Sequence, residues 1–292
     1  MKPDLPLSSP AAQPPLGPLD LSGSLRSSPA LRYGWRALVA VTWASMAIFG
    51  VYIAVYYGGA IPAGEPRDWN AVLPRLYVPG ERWGSVAIGA HFLAGSMLLA
   101  MGPAQLITGR RGTTPRLHRW MGRVYVAAAA IAGLGGTLYI ALLGTVGGTP
   151  MNVGFGLYGV LMVVAAVETF RHARARQLAR HRAWAIRLVA LAVGSWLYRM
   201  DYGLWLKLAH GIGHHSRTFD GPFDAFMAFF FYVPNLAVAE ALIRAGNTPP
   251  SRRTRRVLTP LVIVAAALIA LATWLFTASY WAPHIVARIA AL

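Results

Sequence analysis

Cysteine is absent from the 292-residue chain, and charged residues make up only 13% of it. The lack of cysteine excludes disulfides, thiolate metal sites, iron–sulfur clusters and a cysteine nucleophile. Soluble proteins carry about 25% charged residues, whereas this chain is 56% hydrophobic with a mean hydropathy of +0.47. A soluble domain could hardly bury so much apolar surface, so the composition indicates an integral membrane protein.

Acidic residues are also few, because ten Asp and Glu stand against 27 Lys and Arg and give a formal net charge of +17. In a soluble protein this charge would suggest a nucleic-acid partner. The basic residues sort instead to alternate connections between apolar stretches, so we expect no nucleic acid. We expect a lipid bilayer with anionic head groups on the cytoplasmic side, and protein partners stay unknown.

Seven apolar stretches are long enough for a transmembrane helix, which needs roughly 20 residues. They are residues 36–58, 84–107, 121–144, 152–171, 183–206, 223–244 and 257–281. The predicted fold class is therefore all-α, a polytopic transmembrane helical bundle of about seven spans in residues 33–292. Residues 1–32 are rich in Pro and Ser without periodicity, and we expect a disordered cytoplasmic tail there.

Lys and Arg give the orientation of these spans. Of the 27 basic residues, 20 fall on the side of the N-terminus and seven on the other side. The positive-inside rule then predicts a cytoplasmic N-terminus and a C-terminus outside. We expect the bacterial cytoplasmic (inner) membrane as the location.

Polar residues within spans usually face protein or a water-filled cavity, because lipid cannot satisfy them. They form two predicted layers. The cytoplasmic layer contains Gln105, His118, Arg119, Arg123, Glu168, His181, Arg182, Arg187 and Glu240, and the outer layer contains His91, Arg199, Asp201, Asp224 and the loop HGIGHH at 210–215. Asn235 follows Pro234, which favours a kink in the sixth span. The seventh span has no ionisable residue between Arg256 and His284, so we expect it to act as scaffold outside any site.

Two similar stretches, HRWMGR at 118–123 and HRAWAIR at 181–187, enter the third and fifth spans from the cytoplasmic side. Interfacial tryptophan and snorkelling arginine explain part of the likeness. These two effects do not explain the histidines or the deeper arginines, and those residues form the predicted site. The predicted cofactor-binding residues are His91, His118, His181, Arg123 and Arg187, with Gln105, Glu168, Asp201, Asn235 and Glu240 as polar contacts. No metal site is predicted, because Gly211 and Gly213 weaken any helix that would align the loop histidines.

The segments HFLAGSMLLAMGPAQ (91–105), LHRWMGRVY (117–125), ARHRAWAIRLVAL (179–191) and VPNLAVAE (233–240) resemble the bacterial membrane family catalogued as domain of unknown function 2306. The resemblance covers about residues 85–245. It implies a multi-pass membrane protein with recurring His, Gly, Gln and Arg at these positions, and it supplies no activity.

Three functions stay open at this point. Paired histidines flanked by arginines suit b-type haem, or a quinone, in membrane electron transfer. Buried Arg187, Asp201, Asn235 and Glu240 beside a kinked span could line the path of a small-molecule or ion transporter. The layers could also fix the bundle of a structural, sensory or assembly protein. No hydrolase or nucleotide-binding signature occurs, so no catalytic residue is predicted and enzyme activity stays undecided.

Overall fold

A computed structural model describes residues 29–111, 115–246 and 251–291, apart from the side chains of residues 103–104, 106–111 and 115. The predicted tail therefore falls almost wholly outside the described residues. Nine α-helices and no strand occur in these three segments. Helices are expected in a bilayer, because each helix satisfies its own backbone groups where no water is present.

The helices follow one another with short connections. The first long helix, α1, continues into a π-helical segment, and a 3-10 segment follows it; the last long helix also ends in a π-helical segment. The bounds are α1 Pro29–Ile53, the π segment Ala54–Gly58, the 3-10 segment Pro66–Ala71, α2 Arg82–Arg111, α3 Pro115–Leu143, α4 Gly148–Arg174, α5 Leu178–Leu208, α6 Pro222–Phe230, α7 Val233–Ala245, α8 Arg252–Phe276, the π segment Thr277–Trp281 and α9 Ala282–Ala290.

Six helical stretches in the described residues are long and apolar enough to cross a membrane. They correspond to six of the seven predicted spans. The remaining one, α5, has 31 residues but is less apolar because it carries Arg187, Arg199 and Asp201. It packs against α2, α4, α7 and α8, so protein neighbours shield its polar groups.

The packing has two parts. Helices α2 to α5 pack in chain order, each against the next or against α2, and α6 and α7 close this group. Helix α1 lies along α8, and this pair packs on α2 and α5 from one side. Two apolar cores result, one within the central group and one where the α1–α8 pair meets it.

The sixth predicted span is interrupted, as Pro234 suggests. Helix α6 ends at Phe230, and α7 starts at Val233. The Asn235 amide donates to the freed carbonyl of Phe231 at 2.8 Å. A mid-span Asn therefore supports the helix break, which is the local compensation that a broken membrane helix requires.

Candidate functional site

The predicted cytoplasmic layer is held together by an ion pair between α5 and α7. Arg187 Nε lies 2.5 Å from Glu240 Oε1, and Arg187 Nη2 lies 3.1 Å from Glu240 Oε2. The Arg187 guanidinium also lies 4.7 Å from the centre of the Trp184 ring. Arg187 was predicted to bind a cofactor, and its charge is here matched by the Glu240 carboxylate.

Glu168, another of the predicted polar contacts, interacts with residues of its own helix. Its carboxylate accepts from Arg171 at 2.9 Å and contacts His172 Nε2 at 3.1 Å. His172 Nδ1 in turn lies 2.8 Å from Gln177 Oε1, at the turn after α4. This network fixes the end of α4 and does not reach the predicted arginines of α3.

His118 and His181 lie close enough for a charge on one to act on the other. His181 Nδ1 donates to the carbonyl of Thr169 at 2.9 Å, and the carbonyl of His118 accepts from Gln105 at 3.4 Å. Arg123 is exposed. The two histidines are therefore near enough to interact electrostatically, whereas Arg187 is paired with Glu240 and Arg123 is exposed.

A cavity of about 210 Å³ lies away from this layer, in the half of the bundle that is predicted to face outside. Its walls come from α1, α2, α3, α4, α5 and the end of α8, and they are mainly aromatic and aliphatic. His91 on α2 and Arg199 on α5 both line it. Each lies nine residues from the outer end of its helix, about 14 Å at 1.5 Å per residue, so the two lie at matched depth.

His91 is held against α3 by a hydrogen bond from Nδ1 to the carbonyl of Ala132 at 2.8 Å. Because a carbonyl can only accept, the neutral imidazole carries its proton on Nδ1 and leaves Nε2 as an acceptor. Two glycines make the contact possible. A Cβ at Gly136 would lie 3.0 Å from His91 Nδ1, and a Cβ at Gly135 would lie 2.6 Å from the carbonyl oxygen of Ala87.

Arg199 has no carboxylate within 4 Å among the described residues. Its guanidinium lies 5.3 Å from the centre of the Tyr198 ring and acts electrostatically on Tyr57 and His91. Asp201 is not its partner, since residues two apart on a helix point about 200° apart. The Asp201 carboxylate makes no ion pair or side-chain hydrogen bond with any described residue and does not line the cavity.

The α1–α8 pair contributes a cluster of aromatic side chains to the cavity. Tyr52 and Tyr57 come from α1 and its π segment, and Phe276, Tyr280 and Trp281 come from the end of α8 and its π segment. Single π turns are rare in proteins, but those that occur are often found at functional sites. The seventh span was expected to lie outside any site, yet its outer end forms part of this wall.

The HGIGHH loop is tied to the buried carboxylate of Asp224. Tyr202 donates its hydroxyl to Asp224 at 2.6 Å, and His214 Nδ1 lies 2.6 Å from the same oxygen. The backbone amides of His215 and Gly221 donate to the second oxygen at 3.0 Å each. In the described residues, no group of three His, Cys, Asp or Glu could hold a metal ion.

Outside the helices, the Thr218 hydroxyl and His215 hold the pKa of the exposed Asp220 below its usual range. The contacts of Asp220, together with those of Asp224, hold the loop in a folded conformation next to α6.

The family model described as Predicted membrane protein (DUF2306) matches residues 88–243. This range contains His91, Arg199 and most of the α2–α7 group, whereas the α1–α8 pair lies outside it. No curated protein and no solved structure matches the chain significantly. The match covers more than half of the sequence, so the chain belongs to the DUF2306 family of predicted membrane proteins.

Proposed function

We propose that this membrane protein binds a lipid-soluble molecule whose head is one substituted ring with oxygen substituents, the chemistry of a quinone, in the bacterial cytoplasmic membrane. The cavity between His91 and Arg199 is the observation that carries the proposal. An apolar cavity of about 150 Å³ accommodates benzene. A cavity of about 210 Å³ with the same kind of lining therefore suits one ring with small substituents.

The polar groups of the cavity complement such a ring. Arg199 has only donors, so it suits a carbonyl oxygen of the oxidised ring. His91 Nε2 is an acceptor in the neutral tautomer and suits a hydroxyl of the reduced ring. The proposal concerns binding of the ring in this cavity.

Haem b does not fit these residues. A haem consists of four linked pyrrole rings and is too large for a cavity that suits one ring, and His91 is the one histidine among the described residues of the cavity wall. At the cytoplasmic layer, Arg187, one of the arginines expected for the propionates, is already paired with Glu240, and Arg123 is exposed. We therefore assign no step to haem.

Calorimetric titration of a short-chain benzoquinone into the protein in lipid nanodiscs tests the proposal, with empty nanodiscs subtracted. We expect saturable binding that weakens about tenfold in Arg199→Met, the loss of roughly one hydrogen bond to a charged donor. Arg217→Met is the matched control, because Arg217 is exposed in the outer loop. Absence of saturable binding, or equal loss in both variants, would overturn the proposal.

Transport of the same ligand is a second candidate, favoured by the helix break. Phe231 lies between α6 and α7 and lines the cavity. Transporters commonly place their binding site at discontinuous helices. Proteoliposomes loaded on one side should then equilibrate the quinone-class ligand faster than empty liposomes, and Asn235→Leu should slow this exchange. Equal exchange rates in liposomes with and without the protein would contradict transport of this ligand.

We further propose that anionic lipid head groups contact the cytoplasmic ends of the helices, where most of the basic residues are predicted to lie. The exposed arginines there include Arg119, Arg174, Arg180 and Arg252. A polybasic surface gains about 1 kcal/mol per basic residue near an anionic leaflet. Thermal stability in nanodiscs should rise with phosphatidylglycerol content, and this rise should shrink in high salt.

A further inference from the structure

The described residues of the cavity wall carry positive charge without negative charge. Among its described lining residues, Arg199 is the one formally charged group, and Asp, Glu and Lys are all absent from the wall. A guanidinium cannot be deprotonated in a protein. The cavity therefore contains a permanent positive charge that the wall does not neutralise.

The other titratable groups of the wall are tyrosines and His91. Two of the tyrosines are committed, because Tyr139 donates to the carbonyl of Arg75 at 3.0 Å and Tyr158 donates to the carbonyl of Leu191 at 2.9 Å. Neither contact offers Arg199 an acceptor with negative charge.

The remaining hydroxyls lie on the α1–α8 side of the wall and on α5. Tyr52 is 2% exposed, and its hydroxyl makes no hydrogen bond of regular geometry among the described residues, although the hydroxyls of Tyr57 and Tyr280 lie beside it. Tyr57, Tyr198 and Tyr280 line the same cavity. Neutral phenols supply O–H donors, so these tyrosines complement an oxygen that carries negative charge.

An isolated cation at this depth is costly, and the usual remedy is a partner of opposite charge. The Tyr198 ring gives a cation–π contact at 5.3 Å, which is a partial compensation. Asp201, on the same helix, points elsewhere. An occupant of the cavity with a negatively charged oxygen would supply such a partner.

We infer that the cavity binds its ring ligand as an oxyanion, a phenolate or a hydroquinone monoanion, with the charged oxygen at Arg199 and the buried hydroxyl of Tyr52 as an additional donor. This inference rests on the proposed ring site. In the step concerned, the phenolic O–H bond breaks, its electron pair stays on the ligand oxygen, and the proton passes to buffer. No electron transfer takes part.

The probe is 4-nitrophenol, because its phenolate absorbs visible light and its phenol form does not. The protein in nanodiscs is titrated with the probe at several pH values, and the absorbance gives the fraction ionised in the bound probe. We expect phenolate to bind about tenfold more tightly than phenol, which lowers the pKa of the bound probe by about one unit. Arg199→Gln, which keeps a polar side chain without the charge, should remove this preference. Arg217→Gln, on the exposed loop, should keep it.

The outcomes separate the two proposals. Saturable binding of 4-nitrophenol with equal affinity for both forms, or with preference for the neutral phenol, overturns the oxyanion and leaves the ring site intact. Preference that survives Arg199→Gln but disappears in His91→Leu assigns the charge to His91 and overturns the inference as well. Failure of both 4-nitrophenol and the benzoquinone to bind overturns both proposals.

Discussion

The Nδ1–H of His91 donates to the carbonyl oxygen of Ala132, 2.8 Å away on the neighbouring helix. This contact fixes the imidazole against α3 and turns its other nitrogen into an acceptor. It exists because α2 and α3 approach closely at Gly135 and Gly136. Small residues at a membrane helix interface allow such an approach, so the glycines position the histidine.

The close approach predicts a large difference between two glycine substitutions. A Cβ at Gly135 would lie 2.6 Å from the carbonyl oxygen of Ala87, whereas a Cβ at Gly156 meets nothing within 4 Å. Gly135→Ala should lower the free energy of unfolding by about 1–3 kcal/mol, the usual cost of overpacking. Gly156→Ala should leave it unchanged or raise it by up to about 1 kcal/mol through helix propensity.

Thermal unfolding in detergent measures both variants at equal protein and detergent concentrations. Equal midpoints for Gly135→Ala and the wild-type protein would contradict the packing of α2 on α3 that positions His91.

The ion pair of Arg187 and Glu240 predicts a coupling that is independent of the cavity. Their side chains are 25% and 36% exposed, so we expect a coupling free energy of about 0.5–1 kcal/mol, as for a partly solvated two-pronged pair. A double-mutant cycle with Arg187→Gln and Glu240→Gln gives this value. The pair of Arg171 and Glu168, in which the Arg171 side chain is 66% exposed, is the control and should give less.

Neither single variant of this pair should alter benzoquinone affinity, because neither residue lines the cavity. A loss of affinity as large as that of Arg199→Met would move the site back to the cytoplasmic layer.

Arg288 predicts the mobility of the loop that covers the cavity from outside. Its buried guanidinium reaches from α9 to Glu65 at 2.7 Å and to Asp68 at 2.5 Å. Leu73 and Leu76 of the same loop line the cavity. Arg288→Met should therefore speed amide hydrogen exchange in residues 61–80, since both carboxylates lose their one buried partner.

Glu65→Gln is the milder control, because Asp68 still holds Arg288. Its exchange should remain near that of the wild-type protein. Exchange in 61–80 that is unchanged in Arg288→Met would show that apolar packing alone holds the loop.

Much of the fold follows from single-residue properties that the sequence displays. Apolar length predicts the spans, and the break at Pro234 follows from the missing amide of proline. The fifth span illustrates the limit of hydropathy, because Arg199 and Asp201 make it less apolar while its neighbours shield it. The described residues agree with the all-α bundle, and its orientation in the membrane stays a prediction.

Only part of the candidate site could be predicted from the sequence. The depth of His91 was apparent from its distance to the helix end, and Arg199 was assigned to the same outer layer. The contribution of Tyr52, Tyr57, Tyr280 and Trp281 was missed, because it depends on how α1 and α8 pair and on π turns that no periodicity marks. The adjacent aromatic pairs Tyr56–Tyr57 and Tyr280–Trp281 are local signals from which this wall could have been predicted.

The sequence predicted a site in the cytoplasmic layer because that layer contains many charged residues. Sequence shows which residues are charged but not which pair with each other. Arg187 and Glu240 are 53 residues apart, and their pairing depends on the contact of α5 with α7. Whether His118 and His181 have a functional role stays a prediction.

Photo-crosslinking with an azido-benzoquinone in lipid nanodiscs tests the ring site most directly. We expect labels on cavity residues such as Tyr57, Phe92 and Tyr198, and we expect excess short-chain benzoquinone to suppress them. Labels confined to lipid-facing side chains such as Val160 and Trp274, without competition by the benzoquinone, would contradict the account.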